Sequence, residues 1–180
     1  MSPIFTPDFA TVDANIPTFE GRARVQITKR TPFHRTGRTD DQGNVSVNAG
    51  VQYNLELVGM FDEDGELQTD GFKGKTLSPY KVWLHTEGGW QFGKPFMMAA
   101  CGFRRNQEAE ANEKLFQAND WEMNGELDAD AETFSLGSGW ELLTGKVVDV
   151  TLKVKRTPSK ADPDEVYENQ EFTGWTPVEA

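Results

Sequence analysis

The sequence predicts a mostly β fold, a small barrel or sandwich of about five strands with one or two short helices late in the chain. Three observations predict it. Several segments alternate apolar and polar residues with a period of two, as half-buried strands do. Turn-forming residues separate these segments at short intervals. Helical character is confined to two stretches after residue 90. At 180 residues the chain has the size of one domain that buries its own core. Its hydrophobic share of 37% and mean hydropathy of -0.61 point to a modest core with long polar segments. Five Trp and twelve Phe argue against disorder throughout.

Residues 1–20 hold three prolines and few periodic apolar positions, and are expected to form an N-terminal arm. Ala23, Val25 and Ile27 alternate with Arg24, Gln26 and Thr28, opening a domain expected over 21–160. Residues 31–44 read as a polar loop with a turn at Asp41-Gln42-Gly43-Asn44. A short strand with Val45 and Val47 follows, then one with Val51, Tyr53, Leu55 and Leu57 inward. Residues 62–66 read as a turn and 71–75 as a loop. In the next strand Tyr80, Val82 and Leu84 share one face and Lys81, Trp83 and His85 the other, with Gly88-Gly89 ending it.

Residues 94–105 are apolar and predict a helix, with Pro95 in its first turn and Gly102 near its end. Residues 107–117 have helical propensity with little apolar face and predict an exposed helix or insertion. Residues 119–133 are expected to be an acidic loop. The last strong strand spans 146–156, where Val148, Val150, Leu152 and Val154 oppose Asp149, Thr151, Lys153 and Lys155. Residues 161–180 are expected to form an acidic C-terminal tail, with an edge strand near 166–172.

The single cysteine, Cys101, excludes an intrachain disulfide, and with only His34 and His85 it argues against a Cys/His zinc site. Cys101 lies among Met97, Met98 and Phe103, the setting of a buried, inert thiol. The chain reads as a cytoplasmic protein of a reducing compartment, without a signal peptide or membrane-spanning run. No nucleophile elbow or phosphate loop is present, the acidic runs lack the spacing of a calcium loop, and no cofactor is implied. An enzyme is therefore not expected.

Net charge is -11, which by itself disfavours polyanionic partners. The distribution is uneven, however. Residues 21–38 carry Arg22, Arg24, Lys29, Arg30, Arg35 and Arg38 without an acid. Residues 144–160 carry Lys146, Lys153, Lys155, Arg156 and Lys160 against Asp149 alone. Acids dominate 56–70, 107–132 and the C-terminus. Aromatic residues interleave with the cations, as in Lys29-Arg30-Thr31-Pro32-Phe33-His34-Arg35 and in the outward pair Lys81 and Trp83. Single-stranded nucleic acid needs both properties, since cations follow the phosphates while flat rings stack on bases. Duplex recognition needs a groove-entering helix, and the most helical segment here is acidic.

The candidate nucleic-acid-binding residues are Lys29, Arg30, Phe33, His34, Arg35, Arg38, Lys81, Trp83, Lys153, Lys155 and Arg156. The alternatives are a β-rich protein-interaction or virion structural module, which would use the acidic surface and exposed rings as contacts, and a carbohydrate-binding module, which would stack sugars on outward Trp and Tyr.

Three segments carry a resemblance to a known family: Val51 to Val58 leading on to Tyr80-Lys81-Val82-Trp83-Leu84, the Met97 to Phe103 helix end, and Leu143 to Val154 followed by Tyr167-Glu168-Asn169. In these the chain resembles phage-encoded single-stranded DNA-binding proteins with an OB-type fold. The resemblance implies an OB-like five-stranded barrel and sequence-tolerant binding of single-stranded DNA in phage DNA replication or recombination. It also implies an acidic C-terminal tail that recruits phage or host replication and recombination proteins. The tail here departs from the bacterial pattern of acids followed by Pro-Phe, ending instead Trp175-Thr176-Pro177-Val178-Glu179-Ala180.

Overall fold

Two strands, far longer than the alternation suggested, organise the molecule. In the computed structural model, which describes residues 16–126 and 133–179, β1 (Gly21–Thr39) and β2 (Val45–Phe61) form one antiparallel hairpin. The side chains of Arg35, Thr36, Val47 and Glu87, and most of the expected N-terminal arm, lie outside the described residues. Most of the segment read as a polar loop is strand. Its backbone groups pair across the hairpin, and a two-stranded ribbon needs no buried face to mark it in the sequence. The turn itself falls where expected. There the Asp40 carboxylate accepts the backbone N–H groups of Gln42 at 2.9 Å and Asn44 at 2.8 Å.

β1 also pairs with β7 (Val147–Pro158), but only over Gly21 to Gln26. β7 continues beyond it to pair with β8 (Val166–Pro177). On the other side β2 pairs with the short strands β3 (Leu67–Gln68) and β4 (Tyr80–Trp83). The order is β3-β2-β1-β7-β8, with β4 alongside β2, and every pairing is antiparallel. Among the described residues no ladder joins β4 to β8, so the sheet is open there. Side chains span the gap, the Tyr80 ring lying 5.8 Å from Phe172 and 4.9 Å from Trp175.

β8 alters the reading of the C-terminus. The expected edge strand forms but runs to Pro177, and Trp175, read as part of the tail, is buried in the core. Asp149 faces Thr176 whereas Thr151 faces Thr173, so β8 carries an extra residue here. Such a bulge breaks the period of two and hides the strand in the sequence.

The core lies between the inner face of the sheet and α1 (Glu87–Ala100), which contributes Phe96 and Met97. Gly88-Gly89 opens this helix rather than merely ending a strand. Thr86 is the N-cap, its hydroxyl accepting the Gly89 N–H at 3.1 Å. Pro95 consequently sits inside the helix, not in its first turn. Gly93 allows close approach, since a Cβ there would lie 2.6 Å from Cγ1 of Val82. Just beyond α1, burial pushes the Cys101 thiol up to about 11, leaving it protonated at neutral pH.

A 3-10 turn (Arg105–Gln107), α2 (Glu108–Ala111) and a π turn (Asn112–Phe116) form the expected helical insertion, anchored by Ala111 and Leu115. β5 (Met123–Asn124) pairs with β6 (Ser135–Leu136), residues 127–132 of the acidic loop between them lying outside the described residues. A 3-10 helix (Ser138–Leu143) then buries Trp140, whose carbonyl accepts the Tyr53 hydroxyl at 2.8 Å. Burial raises the Tyr53 pKa, so the phenol remains a donor. Among the described residues no helix is long and apolar enough to cross a membrane.

Candidate nucleic-acid interface

Antiparallel register decides which side chains share a face. Pro32 faces Val51, which faces Val82, and Arg30 faces Tyr53, which faces Tyr80; Val51, Tyr53 and Val82 are buried. The alternate positions therefore project from the opposite, outer face. There Thr31, Gln52 and Lys81 form one cross-strand row, and Phe33, Gly50 and Trp83 the next.

In the second row the Phe33 and Trp83 rings meet edge to face, centroids 5.0 Å apart and planes at 88°. They meet above β2 because Gly50 has no side chain. A Cβ at Gly50 would collide with the Val82 carbonyl oxygen and lie 3.0 Å from Cζ of Phe33. Lys81 Nζ lies 5.4 Å from the Phe33 ring centroid and 5.8 Å from that of Trp83, within cation–π range. His85 continues the line of rings, 5.5 Å from Trp83. Lys29 is exposed beside Asn54 on the same face, and Arg38 is exposed towards the hairpin tip. Phe33, Lys81 and Trp83 are thus brought into contact, with Lys29 close by on their face.

Other candidates lie elsewhere. Arg30 is on the face of Tyr53 and is held by Glu141 in an ion pair. His34 packs edge to face on the buried Phe134 at 5.4 Å. Lys153 and Lys155 are exposed on β7, facing Glu171 and Asn169 of β8, and Arg156 donates to Glu168 at 3.0 Å. β7 meets β1 only at Gly21 to Gln26, so these three cations extend past the N-terminal end of β1, whereas Phe33 lies toward its other end. The candidate cations of β7 share no cross-strand row with those of β1. Arg35 pairs through its backbone with Asn48, and its side chain lies outside the described residues.

Sequence reasoning placed His85 on the outward face but omitted it from the candidates, although the alternation with Lys81 and Trp83 already put it there. Gly50 was missed altogether, and only the pairing register reveals it. Beyond His85 opens a cleft of about 950 Å³ in which Trp90, Phe116 and Trp121 stand with Asp120 and Glu122. These carboxylates make it unfavourable for phosphate and bound the anion-compatible strip. Among the described residues no group of three or more His, Cys, Asp or Glu side chains could hold a metal ion. No protein-family model matches the chain, and no curated protein matches it.

Proposed function

We propose that the chain binds single-stranded DNA, with little sequence preference, across the outer face of β1, β2 and β4. The observation that carries this is the Phe33–Trp83 contact over Gly50 with Lys81 beside it. Rings of this kind accept any base by stacking, and the adjacent ammonium groups of Lys81 and Lys29 suit the phosphates. The function needs no cofactor and no catalytic step.

The strand order supports the OB-type reading. Three main strands, a helix and two more strands follow in sequence, and the first strand pairs with both the second and the fourth. On that reading the open β4–β8 gap is the seam of a partly open barrel. The β2 and β4 face, with the hairpins between the first two and the last two strands, is then the surface on which such folds bind oligonucleotides. Glu168 and Glu171 lie on the second hairpin, so we place the contact on the β2–β4 face and the first hairpin. The setting implied by the family resemblance, phage DNA replication or recombination in the host cytoplasm, belongs to the same proposal.

The test is titration of labelled oligo-dT at two salt concentrations. Binding that weakens steeply with salt is expected. Absence of binding at low salt would sink the proposal.

A further inference from the structure

Phe92 on α1 is 81% exposed, the most exposed of the large hydrophobic side chains described. It does not stand alone. Phe92 edges a cleft of about 680 Å³, lined also by Trp90, Met98, Phe103, Phe172 and Trp175. One patch thus holds an apolar knob and an adjoining apolar hollow large enough for a phenyl ring. Isolated surface hydrophobes need no explanation, but a contiguous aromatic patch marks an interaction surface.

We infer that this patch is the twofold contact of a homodimer, Phe92 of each copy entering the cleft of the other. A twofold contact requires that one surface complement itself. The charges here do so. Arg105 is exposed at the cleft, and Glu108 lines it, also exposed. Lys94 donates to Oε1 of Glu108 at 2.8 Å, which leaves Oε2 to accept a second cation. Twofold rotation offers Arg105 of one copy to Glu108 of the other, twice per dimer, around two buried phenyl rings. A partner of uniform charge has less to gain from a surface carrying both signs.

The inference does not depend on DNA binding and is tested without DNA, so the two can fail separately.

Sedimentation velocity of the full chain across the micromolar range should show its mass rising from one chain to two. Phe92→Glu should raise the dimer dissociation constant at least about thirtyfold, as removal of a central aromatic anchor does. At concentrations too low for either chain to dimerise, its melting temperature should match that of the unaltered chain, since Phe92 is so exposed. Arg105→Glu should weaken the dimer, and adding Glu108→Arg should recover part of the loss by exchanging the charges. A chain that stays single across the range overturns the inference, as does a dimer that Phe92→Glu leaves intact. Open-ended growth beyond two copies overturns it too, because it signals an association that is not twofold.

Discussion

Arg22 and Arg24, at the start of β1, lie beside Asp149 across the β1–β7 pairing, whereas Lys29 and Phe33, further along the strand, face Asn54 and Gly50 across β1–β2. At the start of the strand Arg24 grips Asp149 with two bonds, Nε to Oδ1 at 2.8 Å and Nη2 to Oδ2 at 3.1 Å. Arg22 approaches the same carboxylate at 3.6 Å, and both guanidinium groups lie over Phe61, 4.5 and 5.4 Å from its centroid. The chain's own acid and ring have taken up these cations. Further along, on the outer face of β1 and β4, the cross-strand neighbours of Lys29 and Lys81 are the neutral amides Asn54 and Gln52. Lys29 and Lys81 therefore meet no carboxylate across the ladder, whereas Arg24 does.

The most forceful way to break this contrast is Asp149→Asn. Asp149 is 2% exposed, so its loss leaves the half-buried Arg24 without its compensating charge, beside the exposed Arg22. Stability should fall by about 2 to 3 kcal/mol, less than for a fully buried pair because the Arg24 side chain keeps access to water. Urea denaturation measures the loss. Oligo-dT affinity of the folded variant should not change. If it fell, the start of β1 would also belong to the DNA path.

Next in size is Gly50→Ala, which puts a methyl group where the Val82 carbonyl oxygen and the Phe33 ring already sit. A cost of about 1 to 2 kcal/mol is expected from overpacking. The near-ultraviolet circular dichroism of Trp83 should change as the rings part. An unchanged spectrum and unchanged stability would mean that the rings do not depend on the glycine.

Trp83→Ala tests the rings themselves. Removing one stacking platform should weaken oligo-dT binding about tenfold, within the range for base–aromatic stacking. Arg22→Ala should leave binding unchanged. Equal losses in the two variants would erase the distinction between the two regions.

How legible each region was in the sequence follows the same logic. Strands with one buried face were readable, as Val148, Val150 and Leu152 or Val51, Tyr53 and Leu55 show, because burial imposes a period of two. The outer half of the β1–β2 hairpin was not, because backbone pairing holds it without a buried face that would leave an apolar period of two. Trp175 was hidden by the bulge in β8. The outward side of Lys81, Trp83 and His85 could be read from alternation within one strand. Their meeting with Phe33 could not, since it depends on a register set by irregularities between Arg24 and Val25 and between Ile27 and Lys29. Shifting β1 by one residue would exchange the faces of Phe33 and His34. The pairing of Arg30 with Glu141 and of Arg156 with Glu168 joins residues remote in sequence or on facing strands, and composition gives no sign of it.

The finest test separates the lysine beside the rings from those on β7. Removing one cation that neutralises a phosphate should reduce the slope of log affinity against log salt by about 0.7 for single strands. Lys81→Ala should show that reduction with only a few-fold loss of affinity, because Lys81 stands beside both rings. Lys155→Ala should leave the slope as it was. On its arm Lys155 faces Asn169, and Glu171, two residues along β8, shares that face opposite Lys153, so any phosphate reaching Lys155 also meets a carboxylate. A reduced slope in both variants would carry the DNA path from the aromatic strip to the β7–β8 hairpin and make both hairpins part of one surface. A reduced slope in Lys155→Ala alone would reverse the assignment and place the phosphates on the arm, away from the rings.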